Sequence, residues 1–346
     1  LSTDTPPYSL ERGGTVLNAA IRLNGELPVW AEAEWLDEPI LALECRDLEA
    51  ALRPQQAGDV FAYANPADPF ALHKAALILS GVIPAEVPPD APLAALLRPL
   101  GRGLRLRTGT SIPRGSGLGT SSTLAGVVLR CLARLLGRDL PPAQLYDEVL
   151  CLEQMITTGG GWQDQIGGLA PGIKLITTHP GLPQIAQIEP LPLSSAARET
   201  LDRRLVLIYT GQVRLAKDLL RAIMGRWMAR DPQMVALLRD IAVLAREMRA
   251  ALLAADLDAF GALIARHWEI NKRLDPGCTN PFIDDLLALC QPFLAGAKLA
   301  GAGGGGFALG VLRDGATAER LAQALAARYG PGHVALWPAA IAHEDR

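Results

Sequence analysis

Aromatic residues are scarce in this chain, 5% of 346 residues, and cysteine is scarcer, five residues (Cys45, Cys131, Cys151, Cys278 and Cys290) with no Cys-x-x-Cys pair. So thin a cysteine complement excludes a disulfide scaffold and suits a reducing cytoplasm. Cys131 falls on an apolar helical stripe, and the thiols are expected to be mostly buried. The five histidines (His73, His179, His267, His333, His343) lack metal-ligand spacing. No apolar run approaches the roughly 18 residues of a membrane span, and the first residues carry no basic-then-apolar leader pattern. The expectation is a soluble, cytoplasmic protein with no membrane partner. Nor is there a basic surplus: the net charge is −3, which with few aromatics argues against a nucleic-acid partner.

What is abundant is small and apolar: 49% hydrophobic residues, with 34 glycines and 26 prolines. At this length a single core usually stops growing, so two domains are expected. Strand-like segments run over Thr15–Leu23, Pro28–Trp35, Ile40–Cys45 and Leu104–Thr108, with a helix at Pro69–Ser80 and a Pro-rich loop at Pro84–Pro92. Leu124, Val127, Val128, Cys131, Leu132, Leu135 and Leu136 recur at helical spacing and predict one buried stripe. A second helix is expected over Pro142–Ile156. Beyond residue 180 come strands at Ile185–Ile188 and Leu205–Tyr209. A long helical stretch, Arg214–Arg273, follows, with breaks near Asp231-Pro232 and Asp256. A helix at Pro281–Leu294, a strand at Phe307–Leu312, a helix at Ala316–Tyr329 and a strand at His333–Trp337 complete the chain. The pattern predicts an α+β protein of two layered domains, 1–180 and 181–346.

Four segments carry chemistry. In Pro113-Arg114-Gly115-Ser116-Gly117-Leu118-Gly119-Thr120-Ser121-Ser122 the glycines permit close backbone approach, and the hydroxyl run opens the striped helix. Free N–H groups and the helix dipole there favour an anion. No lysine follows the glycines in Walker register, and the spacing is not a dinucleotide fingerprint. Glu153 sits near the end of the second helix, and Asp164 lies eleven residues on, past Gly159-Gly160-Gly161-Trp162. Phosphoryl transfer needs one carboxylate for Mg²⁺ and another to orient or deprotonate the nucleophile. Taken singly, Glu153 is a solvated helix residue and Asp164 a turn former; the surrounding glycines and Trp162 favour the functional reading. Lys298-Leu299-Ala300-Gly301-Ala302-Gly303-Gly304-Gly305-Gly306 is entropically costly unless its backbone passes close to a ligand or to the first Gly-rich loop. Asp4, in Thr3-Asp4-Thr5-Pro6-Pro7-Tyr8, could accept hydrogen bonds from sugar hydroxyls, although a terminus is disordered by default.

In this order the segments resemble the galactokinase–homoserine kinase–mevalonate kinase–phosphomevalonate kinase (GHMP) superfamily. Within it, Gly-Gly-Gly-Trp-Gln-Asp-Gln-Ile-Gly-Gly at 159–168, Pro171-Gly172-Ile173-Lys174 and the opening Asp4–Glu11 are similar to the L-fucokinase branch. The resemblance implies a two-domain fold with the active site in the cleft between, and ATP and Mg²⁺ as cofactors. It implies phosphorylation of L-fucose at its anomeric hydroxyl, and fusion or partnership with a nucleotide-sugar pyrophosphorylase. It also implies roles: Pro113 to Ser122 (Pro113, Arg114, Gly115, Ser116, Gly117, Leu118, Gly119, Thr120, Ser121, Ser122) around the phosphates, with Gly301, Gly303 and Gly304 shaping the site. Ser122 and Glu153 would hold Mg²⁺, Asp164 would be the catalytic carboxylate, and Asp4, Gly161 and Trp162 would line the sugar pocket. The step from Glu153 to Asp164 matches that between the corresponding acids of mevalonate kinases. The family's first motif also carries a basic residue and a Gly-Gly-Trp upstream; here Leu1-Ser2 precedes Thr3, and Arg12 stands too far along to replace it. Two alternatives remain: a heptose 7-phosphate kinase, for which no cationic cluster accompanies Asp4 or Trp162, and an idle sugar or nucleotide sensor, which has no need of both carboxylates. Arg226, Arg230 and Lys272 are expected on a solvated helix face.

Overall fold

A computed structural model describes residues 3–65, 67–113, 115–212 and 217–343. Leu1, Ser2 and Arg114 lie outside the described residues. In chain order the elements begin with α1 (Tyr8–Arg12), β1 (Thr15–Ala19), β2 (Ile21–Leu23), β3 (Val29–Leu36), β4 (Leu41–Cys45), β5 (Ala50–Leu52), α2 (Ala57–Phe61) and α3 (Ala71–Leu79). Next come α4 (Leu93–Leu97), β6 (Gly103–Thr110), α5 (Thr120–Leu135), α6 (Pro142–Met155), α7 (Gln163–Leu169), β7 (Ile173–Thr178), β8 (Ala186–Pro190), α8 (Ser195–Arg204) and β9 (Leu205–Tyr209). The remainder is α9 (Lys217–Met228), α10 (Pro232–Leu253), α11 (Leu257–Leu274), α12 (Pro281–Cys290), β10 (Leu294–Leu299), β11 (Phe307–Leu312), α13 (Ala318–Tyr329), β12 (Ala335–Trp337) and β13 (Ala339–Ile341).

The chain divides into two compact units, one of residues 1–27, 113–119 and 170–346, the other of 28–112 and 120–169. The second is a mixed sheet, β3-β6-β4-β5, in which β4 and β6 run parallel, with helices packed on it. Leu41, Leu43, Leu104 and Leu106 alternate inward from its central strands against Val128, Leu129 and Leu132 of α5 and Leu145, Val149 and Leu152 of α6. Each such side chain contributes about 1.5–3 kcal/mol on burial. The buried face of α5 is Ser122, Ala125, Gly126, Val128, Leu129, Leu132 and Ala133, turned from the expected stripe; Leu124, Leu135 and Leu136 are only partly buried. The cause is α7, which covers the small-residue side of α5: a Cβ on Gly126 would stand 2.2 Å from Leu169 Cδ1.

In the first unit β1-β7-β8 and β10-β11-β9-β12 are antiparallel sheets, joined in the core by α10 and α11. The helix breaks fall where a proline and two aspartates predict them. Pro232 lacks an N–H and opens α10, while Asp231 Oδ1 accepts from Gln233 N at 2.9 Å and Met234 N at 3.3 Å. Asp256 Oδ1 caps α11 through Ala259 N at 2.9 Å. The helix expected over Pro281–Leu294 stops at Cys290 instead, and Leu294 opens β10. That strand is shaped by packing: a Cβ on Gly296 would lie 1.8 Å from Gly261 O of α11, so the two backbones touch. Arg226 bonds Asp231 and the Leu274 carbonyl, Arg230 bonds Glu11, and Lys272 pairs with Glu269. Cys45, Cys278 and Cys290 are buried as expected, Cys131 is half-buried and Cys151 is exposed.

Candidate active site

In the first unit the two glycine-rich segments meet. Gly115, Gly117 and Gly119 all have left-handed φ, and a Cβ on Gly117 (φ +77°) would lie 2.7 Å from the Ala300 carbonyl oxygen. Gly306 (φ +78°) is as tight, its Cβ position 2.3 Å from Ser116 O. Phe307 N donates to Ser116 O at 3.0 Å, and Leu118 N to Ser116 Oγ at 3.2 Å. Of the alternatives open to the four glycines, backbone contact with the first Gly-rich loop is present. Gly115, Ser116 and Gly117 thus rest on Gly301 and Gly306, with Gly303 and Gly304 turned to the Cys278 carbonyl, which accepts from Gly304 N at 2.5 Å. Asp4 is nearly fully buried in the turn before α1, and Thr3 Oγ1 anchors that turn by bonding the backbone of Thr15 at 2.8 Å.

The second unit gathers the hydroxyls and carboxylates. Ser121 Oγ and Ser122 Oγ, in the first turn of α5, donate to Glu153 Oε1 at 2.9 and 3.1 Å. Thr158 Oγ1 lies 2.5 Å from Glu153 Oε2. Three hydroxyls therefore fix a carboxylate that is only 5% exposed, so its oxygens are hydrogen-bonded although they are buried. Thr158 escaped the sequence reading; its signal is its place one turn beyond Glu153, where α6 ends and the chain bends back. Among the described residues no group of three or more His, Cys, Asp or Glu could cage a metal. A single carboxylate with two serine oxygens fits instead an ion that keeps waters and phosphate oxygens in its shell, as Mg²⁺ does.

Asp164 stands exposed in the first turn of α7, and Trp162 just before it is buried. The Trp162 indole N–H has no partner among the described residues, which leaves a donor for a hydroxyl. Gln165, also missed from sequence, is fully buried with neither end of its amide partnered among the described residues. Gly168 brings α7 against Thr123 of α5, so Asp164 and the Ser121–Ser122 turn are held by one helix contact. Asp4 belongs to the first unit, Gly161 and Trp162 to the second.

The fold and the two motif clusters define a class whose relatives are recognisable. Residues 91–170 match the GHMP kinases N terminal domain, and residues 248–331 match the GHMP kinases C terminal domain. A heptose 1-phosphate kinase from Bacteriodes thetaiotaomicron superposes with TM-score 0.69 at 18% identity, over 99% of this chain and 92% of that one. The chain carries the N- and C-terminal domains of the GHMP kinases. It is 38% identical over 323 residues to the bifunctional fucokinase/GDP-fucose pyrophosphorylase of Arabidopsis thaliana, covering 93% of this chain and 30% of that protein. It is 36% identical over 324 residues to the L-fucokinase/L-fucose-1-P guanylyltransferase of Bacteroides fragilis, covering 93% of this chain and 34% of that protein. The chain thus spans about a third of the length of these two relatives. No helix among the described residues is long and apolar enough to cross a membrane.

Proposed function

We propose that the chain transfers the γ-phosphoryl group of ATP to the anomeric hydroxyl of L-fucose, giving fucose 1-phosphate and ADP. The observation that carries this reading is the Ser121–Ser122–Glu153 cluster, whose helix α5 packs against the Asp164-bearing α7, within a chain similar along 93% of its length to two fucokinases. In the proposed reaction the sugar oxygen attacks the γ-phosphorus while the bond to the β–γ bridging oxygen breaks. The hydroxyl proton passes to Asp164, and ADP leaves. An anomeric hydroxyl is more acidic than an ordinary alcohol, so a carboxylate of ordinary strength suffices. Ser122 and Glu153 would hold Mg²⁺, which supplies charge neutralisation at the phosphates. The backbone of residues 113–121 would cradle the β- and γ-phosphates, with Gly301, Gly303 and Gly304 behind it. Asp4, Gly161 and Trp162 are the sugar-contacting residues of this reading. Both relatives are named for a second, nucleotidyl-transferring activity, and such an activity, fused or separate, would consume the product.

The test is ADP release with Mg-ATP and a panel of L-fucose, D-arabinose, D-galactose, L-galactose and a heptose 7-phosphate. Turnover confined to L-fucose and its close stereochemical relatives is expected, with Asp164→Asn slower by about two to four orders of magnitude. Turnover on the heptose phosphate alone would overturn the substrate, and full activity of Asp164→Asn would overturn the catalytic role.

A further inference from the structure

The Gly301–Gly306 loop is held not only by residues 115–117 but also by the chain just past β9. Gly306 N donates to the Gln212 carbonyl at 2.8 Å, and a Cβ on Gly305 would meet the same oxygen at 2.8 Å. Thr210, fully buried, donates to the Gly306 carbonyl from its N at 2.9 Å and from its Oγ1 at 2.8 Å. The glycine loop is therefore laid along residues 210–212, just past the end of β9. Among the described residues no strand pairs with that segment beyond Tyr209, so what fixes Gln212 also fixes Gly306.

Asn280 does so. Its Nδ2 donates to Gln212 Oε1 at 3.0 Å, while its Oδ1 accepts from Ile283 N at 3.0 Å as the N-cap of α12. A backbone N–H can only donate, so the cap sets which end of the amide is oxygen and leaves the NH₂ facing Gln212. The carboxamide thus ties a helix end to the residue that holds the glycine loop, and that loop bears on Ser116 and Gly117.

We propose that Asn280 is a positioning residue for triphosphate binding: through Gln212 it holds Gly306, and through Gly306 the backbone of Ser116 and Gly117. This rests on the reading of residues 113–121 as the phosphate-holding loop. It does not depend on which sugar is the acceptor.

The test separates cap from tie. Asn280→Ser keeps a good N-cap but is too short to reach Gln212. Asn280→Asp keeps the cap too, and Gln212 can turn its amide to donate to the new carboxylate, so it is the conservative rescue. Binding of a non-hydrolysable MgATP analogue, measured by calorimetry on the whole chain, should weaken roughly three- to tenfold in Asn280→Ser, the equivalent of one hydrogen bond. Asn280→Asp should bind within about twofold of the parent. Gln212→Ala, which keeps the backbone carbonyl but loses the tie, should match Asn280→Ser, and the double variant should lose nothing further. KM for ATP should rise in step while KM for the sugar stays fixed, a split that simple loss of folded protein does not produce. Equal affinity in the parent and in a folded Asn280→Ser or Gln212→Ala overturns the proposal and leaves the phosphate loop standing. A parent chain that does not bind the analogue overturns both.

Discussion

Gly168→Ala is the substitution whose effect follows most directly from the geometry. Gly168 lies one helical turn after Asp164 on α7, and a Cβ there would stand 2.1 Å from Thr123 Oγ1 and 3.1 Å from Thr123 Cβ and Cγ2. Ordinary carbon–oxygen contact begins near 3.4 Å, so α7 and α5 must separate by about 1.3 Å or Thr123 must change rotamer. Thr123 is β-branched and inside a helix, where its χ1 choices are few, and its present interactions would be lost with the change. Overpacking of this kind costs about 1–3 kcal/mol. With Asp164 in the catalytic role proposed for it, turnover falls as well, because Asp164 rides on the displaced helix: a misplacement of about 1 Å lowers turnover on the order of a hundredfold, comparable in free energy to the stability cost. Steady-state kinetics and urea unfolding on Gly168→Ala, Thr123→Ala and the double variant make the assay. The expectation is a low kcat in Gly168→Ala, recovered to within a few-fold in the double variant because the offending hydroxyl is gone. Analogue affinity should stay at the parent value. A Gly168→Ala enzyme with parental kcat, or a double variant no better than the single one, refutes the argument that this contact sets the carboxylate.

Two further outcomes are expected. Burial holds His73 down to about 4, against the opposing pull of Asp47 and Asp68, and its Nε2 meets Thr108 Oγ1 at 2.8 Å. Between pH 6.5 and 4 the unfolded chain binds a proton there that the folded chain does not, so stability should fall as pH drops through that window, by about 3 kcal/mol in all. Urea unfolding of the parent and of His73→Gln across that range reads it, and identical slopes would dismiss the assignment. Glu153→Gln should raise the Mg²⁺ concentration needed for half-maximal rate about ten- to hundredfold at saturating ATP. An unchanged Mg²⁺ titration would remove Glu153 from the metal's shell.

Much of this was legible in the residues, where local chemistry decides. Asp231-Pro232 and Asp256 announce helix starts because a side-chain oxygen satisfies N–H groups that the helix cannot, and the glycine-rich runs announce close backbone contact. What stayed illegible depends on partners distant in sequence. The stripe on α5 reads correctly as apolar, but its true centre follows from α7, whose Gly167-Gly168 pair looks like a turn until Thr123 is seen to fill the space. β10 reads as the tail of a helix because Leu294 continues the apolar period of Pro281–Cys290, and only contact with Gly261 explains Gly296. The Glu153 cluster was half-visible: Ser121 and Ser122 belong to a recognisable run, whereas Thr158 is an ordinary loop threonine until the backbone folds it back onto the carboxylate. Asn280 and Gln212 carry no local signal, since an Asn before Pro281 is sufficiently explained as a cap.

The pairing of β1 with β7 has a consequence for how the chain is made. Leu17 sits opposite Leu175, so the strand that begins the first unit must wait for its neighbour through 158 further residues. At about 5–20 residues per second, synthesis takes roughly 8–30 s to cover that distance. Meanwhile residues 28–112 and 120–169 emerge complete, with the core of their own unit available to them. Closing so long a loop is slow and entropically unfavourable until both ends have something to bind, and an intervening unit already folded shortens the flexible chain that must be closed. The order of events expected on the ribosome is therefore inside first: the inserted unit, then β7, and only then the pairing of β1, although β1 was translated before either.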